Sequence, residues 1–281
     1  MTANPSLQFQ PSSVRAVSER PSVASPTGQS GLDLYCPFSS RLHPDTPQVQ
    51  QESVRWAVSF GVQPTEGRAR LEGARLAHLM GRVFPNQRYE VLRLATDWTT
   101  LFFGLDDFLE GLNAGPARIL DIVSGLLAAW RGQHRIGGPF ADALLDIKSR
   151  LAALAPAPVL ERFTSDLDHL FRAMVWEEVQ RSGDSAPNLN QYMAMRPITV
   201  GMLPYRAFAD LTSAPDSYGA ARFDLRLADL DHLTARILGW SNDLFTYPKE
   251  LASGETLNLV LLLAQGRGLD LPEALEHASS I

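Results

Sequence analysis

Apolar residues recur along this chain at helical rather than strand spacing, and the pattern begins abruptly. Residues 1 to about 31 are rich in Ser, Pro, Thr and Gln and poor in large apolar side chains. Such a segment cannot bury enough surface to offset the entropy of ordering it, so residues 1–31 are expected to form a disordered tail. From Leu32 onward apolar density rises while period-two alternation stays scarce. The clearest helix spans about Gln87 to Glu110, where Leu94, Trp98, Leu101, Phe102 and Leu105 share one face. Further helices are predicted over 47–60, 66–83, 117–131, 140–154, 158–181, 188–212, 222–250, 256–266 and 271–281. The stretches between them carry breakers: Gly132 to Gly138, Ala155-Pro156-Ala157-Pro158, Ser182 to Pro187, and Ala214 to Ser217. Pro197 falls inside 188–212 and is expected to kink or break that helix, since it lacks an N–H and clashes with the preceding turn. The expectation is an all-α fold, a single-domain helical bundle over residues 32–281 with no internal repeat.

Composition narrows the function. The chain has 281 residues, of which 45% are hydrophobic, enough for one large core or two small ones. Its formal net charge is −6 and no strongly basic stretch occurs, which argues against nucleic acid as a partner. The lone cysteine, Cys36, excludes an intramolecular disulfide, and no Cys/His metal spacing is present. A reducing, cytoplasmic setting fits that usage. The N-terminus has no apolar leader core, and the longest purely apolar run, Leu259 to Ala264, falls far short of the ~20 residues of a membrane span.

Two short motifs carry the chemistry. The first is Asp106-Asp107-Phe108-Leu109-Glu110, and the second is Asn242-Asp243-Leu244-Phe245-Thr246-Tyr247-Pro248-Lys249-Glu250. Residues four apart share a helix face, so Asp106 points with Glu110, and Asn242 with Thr246 and Glu250. At about 1.5 Å rise per residue, the second set is a row of oxygens roughly 12 Å long. Carboxylate, amide carbonyl and hydroxyl oxygens are the donors that Mg²⁺ selects, and each set is too small to cage an ion alone. That favours a site completed by water and a substrate phosphate. Asp106 continues the stripe Leu94-Trp98-Phe102, where a carboxylate is costly unless it is paired or bound to a metal. Leu238, Asn242, Thr246 and Glu250 form a second stripe that turns from apolar to polar. The plain alternatives are a solvated acidic helix end and an ordinary polar face.

Together the motifs resemble those of bacterial-type class I terpene synthases, which carry an aspartate-rich motif near the end of one helix and an Asn-Asp-x-x-Ser/Thr-x-x-Lys-Glu motif on a later one. Leu92 to Trp98 and Asn258-Leu259-Val260-Leu261 also look like that family, and the resemblance covers roughly residues 32 to 281. It implies a class I terpenoid synthase bundle and an isoprenyl diphosphate substrate, with farnesyl diphosphate as the expected one. It also implies Mg²⁺, bound as several ions together with the diphosphate. Asp106, Asn242, Thr246 and Glu250 would be metal ligands, with Asp107 and Glu110 in supporting or closure roles. Arg196 and Lys249 would donate to phosphate oxygens; a guanidinium stays charged and suits phosphate in a fork. Thr199, Val200 and Gly201 would form the effector segment beside the helix break, and Phe102 and Phe103 the aromatic wall facing carbocations. Trp176, Tyr205 and Phe208 are weaker aromatic candidates.

The resemblance also has a departure. Residues 251–281 follow the second motif, where the family normally continues for several tens more, and no Arg-Tyr pair occurs among them. The expectation is therefore a bundle short at the C-terminus. An exposed groove could then invite a second copy, giving a homodimer, and the alternative function is that of a truncated, inactive homologue. A chain-elongating prenyl enzyme would need a second aspartate-rich motif, which residues 242–250 do not offer. Pro248 inside the second motif is expected to remove one helix hydrogen bond and tilt Glu250.

Overall fold

In the computed structural model, which describes residues 34, 36, 39–63, 67–134, 136–183, 187–211 and 225–281, every element is a helix. The predicted tail 1–31 lies outside the described residues. The helices are α1 (Thr46–Phe60), α2 (Arg68–Ala74), α3 (Leu76–Val83), α4 (Tyr89–Leu112), α5 (Pro116–Trp130) and α6 (Pro139–Leu154), then α7 (Ala157–Ser182), α8 (Leu189–Thr199), α9 (Tyr205–Asp210), α10 (Leu225–Ser253), α11 (Leu259–Arg267) and α12 (Leu271–Ser279).

The helix with the clearest periodicity is the centre of the core. The first half of α4 is buried nearly all round, including Leu92, Leu94, Ala95, Trp98 and the hydroxyls of Thr96, Thr99 and Thr100. Those hydroxyls donate back to carbonyls one turn earlier (Thr96 to Leu92 2.8 Å, Thr99 to Ala95 2.7 Å, Thr100 to Thr96 2.9 Å), so burying them leaves no donor unpaired. Burial of each large apolar side chain in this layer contributes about 1.5–3 kcal/mol. Trp98 stacks near Phe102 and meets Phe163 of α7 edge-on at 5.1 Å. Asp97, fully buried, is held by Arg93 and by Arg150 of α6, and Arg93 also pairs with Glu52 of α1. One charged knot therefore fixes α1, α4 and α6 together.

Two predicted helices are each two helices. The 66–83 stretch is divided at Arg75, which adopts a left-handed φ of 51°. The 188–212 stretch is α8 and α9, but Pro197 is not the breaking point. The helix runs through Pro197 to Thr199, and the chain turns at Gly201, whose φ is 75°. The proline forfeits the N–H bond to the carbonyl one turn earlier, but the helix ends two residues later, so little of it lies beyond the lost bond. Pro248 likewise sits inside α10, which continues to Ser253. Beyond α10, Gly254 (φ 78°) reverses the chain so that Asn258 caps α11 through Val260 N at 2.8 Å. Arg206 of α9 pairs with Asp166 of α7 and with Asp231 of α10 at 3.0 Å. The outer face of α10 exposes Leu230, Leu233, Ile237 and Phe245.

Candidate active site

Asp106 stands where the buried face of α4 gives way to acid. The register that carries Trp98 and Phe102 into the core brings Asp106 to a half-buried position facing α7. With Glu110, Glu177 and Arg181 it lines a cleft of about 250 Å³ of empty space, open to solvent. Burial first, and then the Glu177 and Glu110 carboxylates, push the Asp106 carboxyl up to about 7; Arg181 opposes this only in part. Glu177, 9% exposed, is also raised by burial, against the pull of Arg181, Arg196 and a hydrogen bond from Thr199. Glu110 is raised by burial, with Arg181 and Lys249 acting the other way. Arg181 bridges Glu110 at 3.1 Å and Glu255, just past α10, at 2.8 Å.

The second motif lies on α10, and each of its candidate ligands already has a partner. Asn242 Oδ1 accepts from Arg196 Nη2 at 2.7 Å, and Thr246 Oγ1 donates to the Asn242 carbonyl at 2.9 Å. Glu250 Oε2 accepts from Asn258 Nδ2 at 2.8 Å. Behind them lies Asp243, 1% exposed, which accepts from Tyr192 Oη (2.7 Å), Arg196 Nε (2.9 Å) and Leu259 N (3.0 Å). One carboxylate thus ties α8, α10 and α11 together. Burial alone would lower the Arg196 pKa, but Tyr192, Asp243 and Glu177 outweigh it, so the guanidinium is held firmly in its charged form.

The expected effector segment leaves Arg196 toward α4. Thr199, buried, bonds Glu177 and receives Arg196 Nη1 at 3.4 Å. Gly201 seats directly on Phe102: a Cβ there would lie 2.5 Å from the ring's Cζ. Val200 between them is half-buried. The two motifs therefore communicate through α7 and the α8 end: Asp106 faces Glu177, Glu177 meets Thr199, and Thr199 meets the Arg196 that holds Asn242.

Several expected residues lie elsewhere. Asp107 is exposed and pairs with Arg70 of α2 at 2.8 Å, so it bridges two helices rather than lining the cleft. Phe102 is buried and, with Trp98, Leu105, Phe140 and Phe171, lines an apolar cavity with about 260 Å³ of empty space, but its neighbour Phe103 is 45% exposed. Phe208 belongs to the core, and Tyr205 is tied to Thr99 at 2.9 Å. Lys249 is exposed on α10, near enough to Glu110 to act on its charge. Glu177, Arg181, Asp243 and Asn258 were not singled out as site residues from the sequence. The first two had a signal: Phe163, Leu167, Leu170 and Met174 are a buried stripe of α7 that Glu177 and Arg181 continue at helical spacing.

The donor chemistry suits a hard divalent cation. The candidate ligands are all oxygens, and the Asp106 hollow gathers three carboxyls around one shared arginine, leaving them short of positive charge. Among the described residues, no three His, Cys, Asp or Glu side chains are gathered closely enough to hold a metal by themselves.

An all-helical bundle with an acid-ended α4 and an Asn/Thr/Glu row along a later helix is of the class I terpenoid synthase type. The family model described as "Terpene synthase family 2, C-terminal metal binding" matches residues 97–281, and the chain belongs to that family. The chain is 32% identical to the 4-epi-cubebol synthase ((2E,6E)-farnesyl diphosphate cyclizing) of Streptosporangium roseum, over 87% of this chain and 76% of that protein. It is 29% identical to the (+)-T-muurolol synthase of Roseiflexus castenholzii, again over 87% of this chain and 76% of the relative. Among solved structures, a cucumene synthase variant matches with a TM-score of 0.76 at 25% identity, covering 89% of this chain and 83% of that one. No described helix is long and apolar enough to cross a membrane.

Proposed function

We propose that this chain ionises an isoprenyl diphosphate, farnesyl diphosphate, and cyclises the resulting carbocation to a sesquiterpene with release of diphosphate. The observation that carries the reading is the link from Asp106 through Glu177 to the Arg196 that holds Asn242, in a chain of the terpene synthase family. The farnesyl chain length rests on relatives such as the 4-epi-cubebol and T-muurolol synthases, whose names specify farnesyl diphosphate cyclisation.

The residues divide the work. Asp106 would hold Mg²⁺ from α4, and Asn242, Thr246 and Glu250 from α10. When bound, the metal supplies Lewis-acid stabilisation of the negative charge that builds on diphosphate as the C–O bond breaks. Arg196 and Lys249 donate to phosphate oxygens; Arg196 trades its bond to Asn242 for one to phosphate. Glu110 serves closure by exchanging its pairing with Arg181. Phe102 offers an aromatic face and, with Trp98, a dry wall, and an aromatic ring attracts a cation by about 0.5–2 kcal/mol. Thr199 to Gly201 transmit the movement of Arg196 to Phe102. The cytoplasm is the setting that fits this water-soluble diphosphate substrate.

The test is incubation of the purified chain with farnesyl, geranyl and geranylgeranyl diphosphates and Mg²⁺, with volatile products read by gas chromatography. Cyclic hydrocarbon or alcohol from farnesyl diphosphate is the expected result. No product from any of the three, with folded protein, would instead support an inactive homologue.

A further inference from the structure

The geometry points to Asn258, a residue outside both motifs, as the positioning residue that orients Glu250 for metal binding. The inference rests on the functional reading above. Asn258 has no exposed surface, and its side chain uses every polar group it has. Its Oδ1 accepts from Val260 N at 2.8 Å and caps α11. Its Nδ2 donates twice, to the carbonyl of Asp243 at 2.9 Å and to Glu250 Oε2 at 2.8 Å. An amide has two N–H donors, so one fixes the side chain to the α10 backbone and the other reaches the carboxylate.

A helix cap alone does not require this arrangement. Ser, Thr or Asp would cap α11 equally well, but their oxygens cannot donate from that position to both Asp243 and Glu250. The chain path serves the same end. The helix reverses at Gly254, Glu255 N bonds the Glu250 carbonyl at 2.9 Å, and the turn returns Asn258 beneath the residue it holds. Glu250 sits near the end of α10, two residues after Pro248. Asn258 holds Oε2 and leaves Oε1 to a ligand. A partner that orients a metal-binding carboxylate is worth about 10–100-fold in metal affinity.

The experiment is Mn²⁺ binding to the full chain in the presence of inorganic diphosphate, followed by electron paramagnetic resonance and calorimetry, with thermal melting of the metal-free protein alongside. Asn258→Ser keeps the cap and loses the reach to Glu250. Asn258→Asp keeps both cap and size but replaces the donor with a second carboxylate, and it serves if the serine variant does not fold. The expected result is Mn²⁺ affinity reduced about 10–100-fold, with the Mg²⁺ concentration for half-maximal turnover raised in step and kcat at saturating Mg²⁺ largely kept. Mn²⁺ affinity equal to wild type in either folded variant overturns the inference, and so does a lowered melting temperature with unchanged affinity, which would leave Asn258 a cap and nothing more. If those results come with wild type that does bind Mn²⁺ and diphosphate together, the functional reading stands. If wild type itself binds neither, that reading fails and this inference with it.

Discussion

Arg196 donates from Nη2 to Oδ1 of Asn242 at 2.7 Å, so the residue proposed for phosphate holds the oxygen proposed for metal. The two roles exclude each other in this arrangement. A phosphate that draws Arg196 away frees the amide oxygen, which makes metal and diphosphate binding mutually reinforcing. Mg²⁺ alone should bind weakly, and Mg²⁺ with diphosphate much more tightly, by calorimetry. Equal affinity with and without diphosphate would contradict the exchange. Asn242→Ala should nearly abolish Mg²⁺-dependent diphosphate release while the protein stays folded, because Arg196 keeps Asp243 as its partner.

Asp106 should make the site sensitive to pH. Its folded pKa of about 7 lies above the ordinary value of 3.8, through burial and the carboxyls of Glu177, Glu110 and Asp107, with Arg181 opposing. A raised folded pKa contributes stability that is complete below the unfolded value and lost as pH rises through about 7. Asp106→Asn should therefore melt a few degrees higher than wild type in metal-free buffer near pH 8, and that advantage should shrink steadily as pH falls through the window from about 7 to the ordinary value of 3.8. Metal affinity of the wild type should run the other way and rise with pH through the same window, since the carboxylate must be ionised to bind.

Gly201 is confined by both its backbone and its neighbour. Its φ of 75° disfavours any L side chain, and an added Cβ would strike Phe102 at 2.5 Å. Gly201→Ala should cost about 2–4 kcal/mol from the two effects together. Pairing it with Phe102→Leu should recover the steric part and leave the backbone part, which a double-mutant cycle by denaturant unfolding would separate. A neutral Gly201→Ala would remove the close contact from the account.

Arg181 compensates Glu110 and Glu255 directly and acts on the buried Glu177. Arg181→Ala should destabilise the protein by about 2–3 kcal/mol near pH 7.5, less than a fully buried pair because Arg181 is partly solvated. The loss should shrink as pH falls, because the raised carboxyls of Glu110 and Glu177 take up protons before ordinary carboxylates do. A loss independent of pH would assign Arg181 to packing rather than charge.

The sequence by itself determined the long helices and both motifs. Period 3.6 apolar spacing placed α4, α7 and α10 to within a few residues, because a long amphipathic stripe can be buried only one way. The four-residue spacing of Asn242, Thr246 and Glu250 put their side chains on one face before any fold was known. Only the tertiary structure decided what those side chains meet. Whether Asp107 faces the cleft or Arg70, and whether Phe103 joins Phe102 in a wall or points to solvent, depends on which helix lies alongside, and helical period carries no information about neighbours. The chain break at Gly201 rather than Pro197 was settled by the Phe102 ring against which the turn had to fit. Along the chain Asp243 is one position of the second motif and Asn258 one of a family-like stretch, and neither announces what it holds. They become anchors because a reversal at Gly254 folds α11 back under α10, a long-range contact that local chemistry does not announce.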